Sequence, residues 1–268
     1  MIISALVSTK GQAEAVLKSE ARRIYLESAF FGDAEWENWT ARIHKAGKEA
    51  YLALPAVFRV KAESYFIERL NALKKAGFDG FLLRNTESLL FLREEGFSCE
   101  FTADHGVYVW NSESKKMMDS FGFSGYTCPV ELSKTDLAAF GVRDMEIIAY
   151  GYLPAMVTAN CIRKTLSVCD RKSGISVLKD RDGRLMTVQC ACRFCQNVIY
   201  NSVPLFLYDR IHEISSLGIA SLRLSFTTET EDEAVRLIRA FAEALRDPVP
   251  KELSLPRFTR AGFDKSAE

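Results

Sequence analysis

Five of the seven cysteines crowd into one segment of the chain, between positions 161 and 195. They are Cys161, Cys169, Cys190, Cys192 and Cys195, and the last two form a C-x-x-C pair. Four thiolates from one region are the ligand set of tetrahedral zinc or of a [4Fe-4S] cluster. An odd number of clustered cysteines suits such a site better than a disulfide framework. The segment is therefore predicted to bind a metal, and the spacing alone does not distinguish zinc from iron-sulfur.

The alternative is that these cysteines are small buried hydrophobic residues, as single cysteines often are. Cys99 and Cys128 fall on or beside predicted strands and are assigned to that class. Five cysteines in one segment are harder to explain by burial. We therefore interpret the clustered residues as a ligand set and the two isolated ones as core residues.

A second group of polar residues follows the ends of predicted strands. Catalytic candidates are His105, Glu131 and Tyr150, and candidate substrate-binding residues are Arg84, Asn85, Asn111, Glu131 and Arg223. In a parallel barrel the carboxyl ends of the strands form the functional face. These side chains are therefore expected to surround a polar pocket for a small anionic or aromatic ligand. The alternative for each of them is an ion pair that closes the barrel.

The other two histidines, His44 and His212, fall in predicted helices and are interpreted as surface or partly buried helix residues. His105 differs because Asp104-His105-Gly106 ends a predicted strand and so lies on the functional face. The sequence has no H-E-x-x-H or G-x-S-x-G pattern. It therefore offers no clear machinery for peptide hydrolysis.

Short aliphatic runs alternate with amphipathic helices along the first 155 residues, as in repeated β/α units. The predicted strands are Ile2–Ser8, Arg23–Glu27, Ala50–Leu54, Gly80–Arg84, Glu100–Asp104, Thr127–Glu131, Glu146–Tyr150 and Ala220–Phe226. The predicted helices are Gly11–Glu20, Glu35–Ala46, Lys61–Ala76, Thr86–Glu95, Ser112–Phe121, Ser133–Phe140 and Asp232–Arg246. Asn85 and Ser133 are predicted N-caps, and Gly47, Gly77, Gly96, Gly122 and Gly141 are predicted helix ends. The pattern predicts an α/β fold, a (β/α)8 TIM-barrel-like domain.

The repeat is interrupted between strands seven and eight, where residues 154–204 lose helical periodicity. This cysteine-rich insertion is predicted to contain a β-hairpin, with Val177–Lys179 against Arg184–Val188 around Asp182-Gly183. One barrel-like domain, 1–268, is predicted to contain this insertion. The proline-rich tail 248–268 is expected to be a strap or a mobile end.

The composition is that of a globular protein. The 268 residues carry 35 basic and 35 acidic side chains, and hydrophobic residues make up 48%. Zero net charge argues against a free-standing basic nucleic-acid binder. No signal peptide and no apolar run long enough to span a membrane is found, so a cytoplasmic location is expected.

Basic residues nevertheless accumulate near the cysteines. They are Arg163, Lys164, Arg171, Lys172, Lys179, Arg181, Arg184 and Arg193. Such a local excess could hold an RNA backbone, although charged loops are usually only solvated.

Four stretches carry a specific signature, in order and in spacing. They are AYGYLPAMVTANC at 149–161, CD at 169–170, LKDR at 178–181 and CRFCQNVIYNS at 192–202. Together they resemble the cysteine-bearing region of peptidase family U32, the collagenase-like proteases. Asp104, Asn111-Ser112 and Glu131-Leu132-Ser133 extend the resemblance toward the amino terminus.

The resemblance implies a barrel-like fold in which four cysteines hold a [4Fe-4S] cluster, and relatives that take part in hydroxylating RNA bases or the ubiquinone ring. Carried over, the metal ligands are Cys161, Cys169, Cys192 and Cys195, with Cys190 spare. One departure is visible near the carboxyl terminus. Many members have a Thr-x-Gly-His-Phe-type motif where this chain reads TRAGF at 259–263, so whatever that histidine contributes is in doubt here.

Three functions are compatible with these observations. The favoured one is an iron-sulfur protein whose cluster faces the pocket and which takes part in hydroxylating RNA or a related aromatic substrate. The second is a collagenase-like peptidase. The third is a non-catalytic partner subunit whose cluster or zinc ion only stabilises the insertion, and a partner chain could complete the site.

Overall fold

Short β-branched and aliphatic runs form a curled parallel sheet, and the amphipathic segments between them form helices on its outer side. The computed structural model describes residues 1–166, 168–247 and 252–264. The strands of this sheet are β1 (Ile2–Val7), β2 (Arg23–Glu27), β3 (Glu49–Ala53), β4 (Gly80–Leu83), β5 (Glu100–Ala103), β6 (Gly125–Tyr126), β7 (Glu146–Gly151), β12 (Leu205–Phe206) and β13 (Ser221–Ser225). Their order is β12-β7-β13-β1-β2-β3-β4-β5-β6, and all neighbours are parallel except the antiparallel pair β12 and β7.

The sheet curls far enough to bring β6 beside β7. An isolated parallel bridge joins Thr127, directly after β6, to Glu146 at the start of β7. The Cys128 N–H also donates to the Glu146 carbonyl at 2.7 Å. Both faces of the curled parallel sheet are covered, so its strands are buried along nearly their whole length. The burial includes polar residues, and β13 alternates its two leucines with Ser221, Arg223 and Ser225.

The helices are α1 (Lys10–Leu17), α2 (Asp33–Lys45), α3 (Val60–Glu68), α4 (Leu70–Ala76), α5 (Thr86–Glu94), α6 (Ser112–Phe121), α7 (Lys134–Phe140), α8 (Ile162–Thr165), α9 (Ile211–Ser216) and α10 (Glu231–Ala244). Their ends follow local chemistry. Asn85 and Ser133 cap α5 and α7 with their side chains, and the five predicted glycines all have positive φ. None of the described helices is long and apolar enough to cross a membrane.

Two sequence predictions are wrong in this region. The sixth strand is not Thr127–Glu131 but Gly125–Tyr126; Pro129 lacks the N–H that would continue a ladder, and Glu131 lies in the following turn. The helix predicted over Lys61–Ala76 is broken at Arg69, which leaves the helical region with φ −115° and ψ 17°.

Four strands between Pro154 and Tyr200 form a separate antiparallel sheet, which we call the small sheet. Its strands are β8 (Pro154–Thr158), β9 (Gly174–Lys179), β10 (Leu185–Ala191) and β11 (Gln196–Tyr200), in the order β8-β11-β10-β9. The predicted hairpin is confirmed as the β9–β10 pair, with Leu185 opposite Lys179.

Most of the predicted tail forms a strap, which we define as residues 252–264. Thr259 of the strap makes an isolated parallel bridge to Leu205 of β12, and the residues after it pass the segment that follows β6. The Gly262 N–H donates to the Val130 carbonyl at 2.9 Å, and the Lys134 N–H donates to the Phe263 carbonyl at 3.1 Å. Residues 248–251 and 265–268 of that tail lie outside the described residues.

Candidate functional site

A cavity of about 350 Å³ lies between the carboxyl ends of the parallel strands and the small sheet. Its size suits a small organic ligand. The strand ends and following loops contribute Glu27, Arg84, Asp104, His105 and Arg223, among others, and the small sheet contributes Met156, Val157, Gln189, Ala191, Gln196, Val198 and Tyr200. The charged side chains of the cavity therefore lie on its floor, beside apolar residues such as Leu6 and Ile148, and most of the roof residues are apolar.

The floor is held together by a buried ion-pair network centred on Arg223. The Arg223 side chain is 1% exposed. It pairs with Asp104 through Nη2 and with Glu146 through Nη1 at 3.2 Å. Glu146 in turn accepts hydrogen bonds from the hydroxyls of Ser4 at 2.5 Å and Tyr25 at 3.2 Å. Arg223 thus links strands β5, β7 and β13 across the interior of the sheet.

Arg84 is the second arginine on the cavity floor, and it too is paired with carboxylates. Its Nη1 lies 2.8 Å from Glu27 and its Nε lies 3.2 Å from Asp104. Burial alone would raise the pKa of Asp104, but Arg223, His105 and Arg84 outweigh it and hold that pKa well below its usual range. Two arginines thus face three buried carboxylates, and the ion-pair interpretation applies to both Arg84 and Arg223.

His105 is the floor residue with a free ring nitrogen. Its Nδ1 lies 3.0 Å from the Asp104 carboxylate, which also accepts the His105 backbone N–H at 2.8 Å. A proton on Nδ1 donates to that carboxylate and leaves Nε2 as an acceptor. Nε2 has no hydrogen-bond partner within residues 1–166, 168–247 and 252–264. The arrangement orients one imidazole at the cavity and fixes its tautomer.

The other predicted pocket residues lie elsewhere. Asn85 caps α5, and its amide nitrogen donates to backbone carbonyls after β3. Asn111 is the exposed N-cap of α6. Glu131 is exposed and lies beneath the strap. The Tyr150 hydroxyl donates to Glu229 at 2.8 Å. None of these four residues lines the described cavity.

The remaining histidines are surface residues. His44 and His212 are both exposed, on α2 and α9. The His44 Nε2 lies 2.8 Å from Asp79.

The cysteines gather at one end of the small sheet. Cys161 follows β8, Cys169 precedes β9, and Cys192 and Cys195 lie in the turn between β10 and β11. Because neighbouring strands are antiparallel, the end of β8, the start of β9 and the β10–β11 turn fall on the same side. None of the four lines the cavity described above.

The thiols of this group interact, and their donor chemistry fits a thiolate-ligated metal group. Burial opposes ionisation of Cys161, but hydrogen bonds from the backbone of Lys164, the side chain of Asn197 and the Cys169 thiol contribute to a lowered pKa. Burial and the neighbouring Cys190 and Cys161 raise the pKa of Cys192. Among the described residues, no three His, Cys, Asp or Glu side chains already have the mutual distances of a metal-binding set.

The C-x-x-C turn is anchored to the parallel sheet by the two residues between its cysteines. The Arg193 guanidinium donates to the Phe31 carbonyl at 2.9 Å and also to that of Ser28. Phe194 stacks on Phe66, with ring centroids 5.7 Å apart, and meets Tyr65 edge to face. The cysteine end of the small sheet is thereby fixed to the β2–α2 loop and to α3.

Sequence reasoning missed several cavity residues. The sequence marks Asp104 as a strand end and as part of the family resemblance but gives it no role in the site, although it joins both arginines and His105. Nothing in the sequence marks Gln189 and Gln196 as cavity residues, because they reach the cavity only through the way the small sheet packs on the strand ends. Period-two alternation in β10 and β11 could have indicated that one face of each strand is covered.

The fold is of a class that many solved structures share. A thiamine phosphate pyrophosphorylase from Pyrococcus furiosus is 8% identical, and the alignment covers 91% of this chain and 96% of that chain with a TM-score of 0.50. The U32 peptidase Mk0906 is 9% identical, with coverage of 86% and 94% and a TM-score of 0.52. These similarities show a TIM-barrel-like α/β fold.

The family follows from the sequence comparison. The model of peptidase family U32 matches residues 15–261, nearly the whole chain. The protein belongs to peptidase family U32. No curated protein sequence matches the chain.

Proposed function

We propose that this family member is an iron-sulfur protein that takes part in hydroxylating an RNA base or a related aromatic ring. The observation that carries the proposal is the gathering of Cys161, Cys169, Cys192 and Cys195 at one end of the sheet that roofs the cavity. Zinc is the alternative occupant of these thiols. We further infer that the curled sheet closes as a (β/α)8 barrel, with 154–204 as an insertion on its functional side.

The cysteine group and the cavity would have separate roles in this function. The four cysteines would hold the [4Fe-4S] cluster. When bound, such a cluster supplies one-electron transfer, because four thiolate ligands leave no open iron site. In the cavity, Asp104 would orient His105, whose Nε2 would accept or return a proton at the ligand. The Arg84 and Arg223 pairs would hold Asp104 ionised.

The basic residues around the cysteines support RNA as the substrate class. Lys164, Arg171, Lys172 and Arg181 are exposed. Arg163 and Arg193 are less available, because Arg163 pairs with Asp170 at 3.1 Å and Arg193 binds the β2–α2 loop.

The test is metal and sulfide content on anaerobically purified protein, with a visible absorption spectrum. We expect about four iron and four sulfide per chain in the wild type and in the control Cys99→Ser, whose thiol lies near Asp79 and Glu100. Cys192→Ser should lose the visible band and most of the iron. Stoichiometric zinc without sulfide, or full iron content in Cys192→Ser, would contradict the proposal.

A further inference from the structure

Two large aromatic side chains are exposed beside the cavity, in the loop between β5 and α6. Tyr108 is 58% exposed and Trp110 is 37% exposed. Their ring centroids are 6.5 Å apart with an interplanar angle of 38°. Val109 between them is buried, which anchors the loop and turns both rings outward. Rings of this size are usually buried, so an adjacent exposed pair at a cavity indicates a binding surface.

The backbone of Tyr108 is unusual for such a residue. It has φ 58° and ψ 51°, the left-handed conformation, at the end of the 3-10 turn His105–Val107. A bulky side chain adopts this conformation only at an energetic cost, whereas glycine does so freely. The Tyr108 hydroxyl has no hydrogen-bond partner in the described part of the chain. The fold therefore gains little from a tyrosine at this position, which leaves ligand contact as its use.

The opposite border of the cavity is formed by the edge strand β8. Met156 and Val157 line the same cavity as Tyr108 and His105, and both are exposed at 56% and 36%. A thioether packs adaptably against aromatic faces. A flat ring entering the cavity would therefore meet Tyr108 on the strand-end side and apolar atoms on the small-sheet side.

Charge is a poor candidate for the source of affinity here. The two floor arginines, Arg84 and Arg223, are already paired with Glu27, Asp104 and Glu146. The floor thus has no spare positive charge for a phosphate or carboxylate. The affinity for a ligand must therefore come mainly from contact between its ring and the side chains that border the cavity.

We propose that Tyr108, supported by Trp110, is the stacking residue that selects a planar aromatic ring for this cavity. The inference rests on the proposed function, because the selected ring is the group to be modified. The ring could belong to an unpaired base of single-stranded RNA or to a free aromatic compound, since both offer the same stacking chemistry.

Trp110 provides a direct optical readout. The chain has three tryptophans, and the other two, Trp36 and Trp39, are buried. Acrylamide quenching therefore reports mainly on Trp110, and a ring stacked on the pair should shield it. The probes are uridine and cytidine, phenol, a single-stranded uridine hexanucleotide, and ribose as the probe without a ring. The full chain is titrated both with its metal and after metal removal.

The variants of Tyr108 distinguish the contribution of its ring to binding from the effect of its left-handed backbone on stability. Tyr108→Ala should weaken binding of ring-containing probes by about ten-fold or more, and Tyr108→Phe should keep it within about two-fold. Tyr108→Gly should lose binding without lowering the melting temperature, because glycine relieves the left-handed backbone. Leu90→Ala, an equally exposed residue on α5, is the matched control and should bind like the wild type.

The outcomes are distinct. Tyr108-dependent binding of the hexanucleotide alone supports the inference with RNA as the source, and Tyr108-dependent binding of uridine or phenol supports it with a free compound as the source. Equal shielding by ribose, unchanged binding in Tyr108→Ala, or no shielding by any probe overturns it. Ring binding by anaerobically purified protein that contains no iron would overturn the cluster and leave the stacking site standing. Iron-loaded protein that binds no ring would overturn the stacking site and leave the cluster standing.

Discussion

At the scale of single residues, the polar strand ends divide into those that face a ligand and those that face each other. Arg223 lines the cavity but is already paired with Asp104 and Glu146, whereas His105 lines it with one ring nitrogen unpartnered among the described residues. The two kinds of residue cannot be distinguished in the sequence, because a charged residue at a strand end could either bind a ligand or form an ion pair inside the sheet. The difference arises from partners far away in the chain. Asp104, for example, meets Arg223 across 119 positions.

Removal of the Asp104 charge should destabilise the protein. In Asp104→Asn, Arg223 and Arg84 lose a buried partner, and we expect a cost of about 3 kcal/mol in the free energy of unfolding at pH 7. Because the pKa of Asp104 is lowered on folding, its stabilisation is present above its unfolded pKa of about 3.9. It is lost as the pH falls toward the folded pKa. Urea unfolding of both proteins at several pH values measures this.

The control for that experiment is Asp182→Asn. Asp182 pairs with Arg184 at 3.7 Å on the surface, and such a pair contributes less than about 1 kcal/mol. A cost for Asp104→Asn that matches the control, or that does not shrink below pH 4, would show that the buried network does not stabilise the fold.

At the scale of elements, the predictions that held depend on neighbours in sequence. Asn85 and Ser133 cap helices because their side chains reach N–H groups three residues later. The sixth strand failed because Thr127 and Val130 favour extended structure while Pro129 prevents pairing. The break at Arg69 was not visible because its surroundings favour a helix, and Arg69 instead pairs with Asp33 at 3.2 Å.

The anchoring of the C-x-x-C turn gives an element-scale prediction. Phe194→Ala removes a buried ring from between Tyr65 and Phe66, a change that costs about 3 kcal/mol or more. We expect faster hydrogen exchange in β10 and β11, with β1 to β5 unchanged. Leu185→Ala, at the exposed far end of β10, should leave the exchange pattern as it is. Uniform acceleration over the whole chain would show that the small sheet does not open separately.

At the scale of the whole molecule, chain order predicts that the cysteine segment lies at the carboxyl ends of the parallel strands, because it follows β7. Its exact position was beyond sequence reasoning. Which face of the small sheet covers the cavity depends on Arg193 and Phe194 docking on distant residues, and the cysteines lie beside the cavity rather than in its lining. For the tail 248–268, the sequence likewise left two expectations open, a strap or a mobile end, and did not decide between them.

The strap offers a whole-molecule test at Gly262. A Cβ at this position would lie 1.9 Å from the Glu131 backbone oxygen. Gly262→Ala should therefore displace the strap, lower stability by about 1–3 kcal/mol and expose Arg260 to trypsin. Gly106→Ala is the control, because a Cβ there meets nothing within 4 Å. Unchanged melting and trypsin resistance in Gly262→Ala would show that the strap tolerates a shift.

The small sheet leaves and rejoins the rest of the chain at nearly the same point. Gly151 at the end of β7 pairs with Leu205 of β12, and the Asn201 N–H donates to the Leu153 carbonyl at 2.9 Å. A unit with adjoining ends can be excised or transplanted with little rearrangement of its host. A short turn joining Gly151 to Leu205 would therefore remove the small sheet and all five clustered cysteines together while keeping β7 and β12 paired.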